Sequence, residues 1–142
     1  MKNSKELLSS VLKTTQMGQI GIRSVLDTSM RPGLRKALES QLHEYDSIET
    51  EAHTIATQRG WEVEELDPAV RFMADMMTRM KLNGRNTDSK IAGLMIQGNT
   101  KGMIKGLKNL HQFAQQDDQI QILSQKLLDC ETANIRQMQG FL

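Results

Sequence analysis

Long apolar runs are missing from this 142-residue chain, and the opening MKNSKELLSS is charged and amphipathic rather than apolar. A membrane span needs about 20 mostly apolar residues and a secretory leader needs an apolar core, so neither is expected. The expectation is a soluble, cytoplasmic protein with no membrane partner. Cysteine is nearly absent: Cys130 stands alone, which excludes an internal disulfide and any Cys-based structural zinc site. Aromatic residues make up 4% and proline occurs twice, so a core would be built from Leu, Ile, Val and Met on helices rather than from aromatics in a sheet. Charge of one sign is not in excess either. With 18 Lys and Arg against 17 Asp and Glu, nothing favours nucleic acid as a partner or an acidic disordered tail. The length suits one domain.

What is present is helical periodicity. Leu8, Val11, Thr15, Gly18, Ile22 and Val25 recur in steps of three and four over residues 4–28, with Asn3 or Ser4 available as a cap. A second helix opens at Pro32, where a missing N–H is tolerated, and its seam is Leu34, Leu38, Gln41, Tyr45, Ile48, Ala52 and Ile55. It closes at Arg59-Gly60 with glycine just past the end. A helix opened by Asn86 or Thr87 carries Ala92, Ile96, Asn99, Met103, Gly106, Leu110 and Phe113. The last, capped by Asp117 or Asp118, carries Ile120, Leu123, Leu127, Cys130 and Asn134, flanked by Leu128, Glu131, Ile135 and Met138. Between the two hairpins, residues 61–85 contain a short helix capped by Asp67 with Pro68 at its first position. Helices of about 25 residues are about 37 Å long, and a connection of this length can return the chain to the starting end. Short, long, short is the loop pattern of an all-α four-helix bundle with one long crossover.

That pattern resembles the ferritin-like superfamily. The stretch Gln-Leu-x-Glu-Tyr-Asp-x-Ile-Glu-x-Glu-Ala at 41–52, the Arg-Gly-Trp at 59–61 and the Ile-Gln-Gly-Asn-Thr-Lys-Gly at 96–102 are similar to small bacterial ferritin-like proteins, some related to spore coat components. The resemblance implies a ferritin-like bundle over nearly the whole chain, with the spore coat as an alternative location. In di-iron members two helices each give a Glu and two each give a Glu-x-x-His pair. Here the first helix offers Thr15, Gly18 and Gln19 at its centre, the third long helix has no carboxylate between 93 and 107, and the fourth has Glu131-Thr132-Ala133-Asn134, with Asn where the family has His. The di-iron ligand set is not preserved, and no cofactor, metal or catalytic residue is assigned. One off-centre alternative stays open, a mononuclear site using Glu49 and His53 with Glu131.

The remaining signals each have two readings. Gly98, Gly102 and Gly106, with Gly18 and Gly21, would each cost about 1 kcal/mol against Ala inside a helix. Close approach of helix backbones is one explanation, and a ligand lodged against exposed backbone is the other. Lys101, Lys105 and Lys108 are read as a solvated face on the opposite side of that helix, and His43, His53 and His111 as surface residues. Cys130 is read as a buried, unreactive thiol. Val70, Met73, Met76, Met77 and Met80 form a methionine-rich face, read as core packing with a partner-binding or self-association surface as the alternative. The central Thr, Gln and Asn side chains are expected to bond one another in a polar layer. Leu12, Leu26 and Leu42 lie beyond the seams and would widen an outer stripe suited to a homodimer. The functional expectation is a non-catalytic structural or interaction protein with an unknown protein partner and an association with sporulation. A degenerate metal-binding or oxidoreductase bundle is the alternative.

Overall fold

The computed structural model describes residues 3–82, 87–112 and 117–142. All the regular structure among them is helical: α1 Ser4–Leu26, α2 Pro32–Gln58, α3 Pro68–Lys81, α4 Asp88–Gln112 and α5 Asp118–Gln139. The starts follow from local chemistry. Asn3 accepts from the Glu6 amide, Asp67 from Ala69, and Asp117 from Gln119 and Ile120. Thr87 accepts from Lys90 at the start of α4. Asn86, the other candidate there, lies outside the described residues, as does Phe113. Helix α2 ends on Gly60 at φ +64°, with the Gly60 amide on the Thr57 carbonyl and the Trp61 amide on that of Ala56, so its last carbonyls are satisfied. Arg59 then stacks over the Trp61 ring at 5.0 Å.

Cross-helix pairs fix the directions. The short turn after Leu26 makes α1 and α2 antiparallel neighbours. Gln41 with Gln137, Glu44 with Cys130, Glu51 with Lys126 and Arg59 with Asp117 run α2 and α5 antiparallel. Ser10 with Asn109 and Gly21 with Met95 do the same for α1 and α4. The four long helices therefore point up, down, down and up. The chain between α2 and α4 travels the full length of the bundle. Its extended first part is pinned to α1 by the Glu64 amide on Ser9 and the Leu66 amide on Gln16. Helix α3 follows alongside the second half of α1, held by Ser24 on Asp75 and Arg79 on Asp27.

The core is the expected one for α2 and α5: every seam residue named for them is buried. On α4 Ala92 and Asn99 are buried as expected, but elsewhere the buried line falls one residue earlier, through Met95, Gly102 and Asn109 rather than Ile96, Met103 and Leu110. Two expectations are corrected outright. Leu12 is fully buried, and Leu26 and Leu42 pack against the core, so they form no outer stripe. No residue of α3 is buried, so its methionine face is not core.

Candidate functional site

The arrangement with the most chemistry starts from two glycines. A Cβ on Gly18 would lie 2.6 Å from the Tyr45 ring, and one on Gly102 would lie 2.6 Å from Glu131 Oε1. Their absent side chains admit a tyrosine from α2 and a glutamate from α5 to the bundle centre. Tyr45 and Glu131 are 1% and 2% exposed. The Tyr45 hydroxyl donates to Asn99 Oδ1 at 2.9 Å, and the Glu131 carboxyl lies in hydrogen-bonding reach of the same hydroxyl. Glu131 Oε2 is buried without a partner. Burial pushes the Glu131 carboxyl up to about 8, with the Tyr45 hydrogen bond opposing, so the group is mostly protonated at neutral pH. Burial, then the nearby Glu131 charge, also holds the Tyr45 phenol well above its ordinary value.

These groups form the floor of a cleft of about 500 Å³. Its walls are α1 at Met17 and Gly21 and α4 at Met95 and Gly98, and its roof is α3 at Met73 and Met77. Most of the wall is apolar and thioether-rich, soft enough to adapt to an occupant. Gly98 faces open space, since a Cβ there would meet nothing within 4 Å. Close approach of helix backbones, the first reading given to the glycines, is not what their contacts show. Gly102 and Gly106 make room for Glu131 and Leu128, side chains rather than a helix backbone, while Gly98 leaves backbone bare to the cleft.

The other candidates scatter. His53 is exposed and bonds Glu65, lowering that carboxyl's pKa, whereas Glu49 accepts from Gln16 and Gln19. Glu131 lies under Gly102, and no group of three or more His, Cys, Asp or Glu capable of holding a metal ion occurs among the described residues. A bridged iron pair does not fit the donor set at the centre, where Tyr45, Asn99 and Asn134 surround a single, mostly protonated carboxyl. Cys130 is buried, donates to Glu44 Oε2 at 3.2 Å, and has its thiol pKa raised far above the ordinary value, chiefly by burial. It is a poor nucleophile. His43 and His111 are exposed.

The polar layer is smaller than expected: Tyr45 and Asn99 bond across helices, but Thr15 bonds its own helix at the Val11 carbonyl and Gln19 turns out to Asp46 and Glu49. Lys101 and Lys105 are not opposite the glycine row; both border the cleft, with Lys81 from α3. Sequence reasoning also passed over Gln16, which is fully buried and anchors the crossover through the Leu66 amide and Glu65. The signal that could have revealed the cleft was methionine on α1, α3 and α4 facing a glycine row with no bulky complement. No protein-family model, no curated protein and no solved structure matches this chain.

Proposed function

We propose that this chain is a non-catalytic binding protein that takes a small apolar molecule into the cleft between α1, α3 and α4. One observation carries the reading: an apolar, methionine-lined pocket bottomed by a few convergent polar groups, the usual composition of a ligand site, with bare helix backbone at Gly98. The polar groups at its floor are turned toward one another, not set beside a nucleophile. A ferritin-like ancestry belongs to the same proposal, supported by the up, down, down, up order and the motifs at 41–52 and 96–102. The sporulation association, and a cytoplasmic or spore coat location, rest on that resemblance alone.

The test is fluorescence titration with a neutral solvatochromic dye such as Nile red. Saturable binding of one dye per chain is expected, abolished by Gly98→Met, whose side chain would enter the cleft. Binding that Gly98→Met leaves unchanged would place the dye elsewhere and refute the reading.

A second reading is favoured by the far side of α3. Phe72 and Met80 are each 67% exposed and Met76 lies between them, one helical turn from each, so an apolar stripe faces away from the cleft. A second copy of this chain is its proposed occupant, giving a homodimer.

A further inference from the structure

We propose that the occupant of the cleft is an amphiphile with a protonated amine head, its ammonium donating to Glu131 Oε2 and its apolar body lying along Met17, Met73, Met77 and Met95. The proposal deepens the binding reading above and rests on it.

The argument begins with what the empty floor lacks. Glu131 Oε2 is a buried acceptor with no donor, in a residue that is 2% exposed and that lines the cleft. A buried acceptor left without a donor has lost its water and received nothing in exchange. The Tyr45 hydroxyl, within reach of this carboxyl, already gives its proton to Asn99. The missing group is therefore a donor that arrives from outside along an apolar path.

Three head groups can be compared on this floor. A carboxylate brings only acceptors, so it leaves Oε2 without a donor, and its negative charge further disfavours ionisation of the acid. An alcohol supplies one donor and leaves the carboxyl's protonation as it was. An ammonium supplies three donors and places a positive charge beside Glu131, which favours the ionised form. The amine then displaces the acid's proton to solvent: the neutral carboxyl and the ammonium become a carboxylate–ammonium pair and one released proton.

Other titratable groups face this point from four of the helices around it. They are Tyr45 on α2, with Glu44 beyond the thiol, Cys130 on α5, Lys101 and Lys105 on α4, and Lys81 on α3. The α1 wall contributes Thr14, Met17, Gly18 and Gly21, none of which titrates. Tyr45 and Cys130 are pushed upward and keep their protons throughout the neutral range. The lysines are exposed at the mouth, where their heads stay in water. They repel an incoming cation at long range, and salt screens that repulsion over about 8–10 Å. Added salt should thus preserve or strengthen amine binding, whereas an alkanoate held by those lysines would weaken.

The experiment is calorimetric titration of the full chain with n-decylamine below its aggregation concentration, at pH 6.5, in two buffers of different ionisation enthalpy. Expected are one site per chain, release of close to one proton per amine, shrinking toward none above pH 9, and affinity at least tenfold above that of n-decanol. Glu131→Gln should weaken the amine at least tenfold and abolish proton release. The proton count in the unaltered chain tests the proposal even where a variant folds poorly. Equal affinity for decanol and decylamine, or amine binding without proton release, would overturn the amine head group and leave the dye-binding cleft standing. Tightest binding of decanoate, weakened by salt, would overturn it in favour of the rim lysines. Loss of both dye and amine binding in the unaltered chain would sink the cleft reading itself.

Discussion

Glu131 is held in the fold at a cost that depends on pH. Its carboxyl is raised to about 8 in the folded chain, mainly by burial, against an ordinary value of 4.5. Between those two values the unfolded chain has released this proton and the folded chain has kept it, so the folded state binds more protons and stability falls as pH rises. Below about 4.5 the group contributes nothing; above about 8 the full penalty is present. The slope approaches about 1.4 kcal/mol per pH unit, giving a penalty on the order of 3 kcal/mol at pH 7. Glu131→Gln removes the titration, so its stability relative to the unaltered chain should climb from pH 5 to pH 8.5 in urea unfolding. A constant difference across that range would show that burial does not hold the acid neutral. Carboxyls with lowered values, such as Asp117 beside Arg59 and Asp75 beside Ser24 and Arg79, lose their contribution at more acidic pH and do not confuse this window.

The same substitution at two glycines should have opposite signs. Gly98→Ala adds a methyl group to open space and removes glycine's helix penalty, a gain of about 1 kcal/mol. Gly18→Ala drives a methyl group into the Tyr45 ring, which cannot retreat without leaving Asn99, and overpacking of this kind costs about 1–3 kcal/mol. Thermal or urea unfolding of both variants checks the pair. Two stabilised variants would mean that the tyrosine is free to move.

At the scale of elements, α3 is the one set to open first. It buries no residue of its own and is tied to α1 by a part-buried bond from Ser24 to Asp75 and by an exposed ion pair between Asp27 and Arg79. Segments with few buried contacts open at lower free energy than the core. Amide hydrogen exchange should therefore run faster in α3 than in the centres of α1, α2 and α5, faster still in Arg79→Ala, and slower once the cleft is filled. Protection in α3 equal to that of α2 would contradict this.

The contrast between α2 and α3 also explains what could be read in advance. In α2 one apolar line dominates the sequence, so periodicity alone identified its inward face, and the Asp67-Pro68 start of α3 was equally plain. On α4 two lines compete, Ile96-Met103-Leu110 and Met95-Gly102-Asn109, and the more hydrophobic one is not the buried one. The choice was made by partners on other helices: Glu131 needs the space at Gly102, Met95 reaches toward Gly21, and Asn109 bonds Ser10. Nothing in α4 itself carries that information. The cleft was hidden for the same reason, because it exists only once the crossover has laid α3 beside α1. Its individual parts, the glycine row, the methionines and Glu131, were all visible as separate signals.

On the scale of the whole molecule, the full-length crossover leaves one helix outside the square of the other four, with neighbours on one side only. Helix α3 is apolar in two directions: Met73 and Met77 face inward to the cleft, while Phe72, Met76 and Met80, spaced four residues apart, form a separate stripe facing water. A protein that keeps such a stripe exposed loses the hydrophobic stabilisation it would gain by covering it. A twofold contact between two α3 helices would bury six of these large side chains against one another, since an isologous interface uses the same patch twice. Light scattering at tens of micromolar should accordingly return twice the 16.1 kDa chain mass. Replacing Phe72 and Met80 together by Glu should return the single mass, because like charges would meet at the twofold axis. Neither residue lines the cleft, so dye binding should survive that double replacement, which separates association from ligand uptake. A single-chain mass for the unaltered protein would leave the stripe without its proposed partner and count against the homodimer.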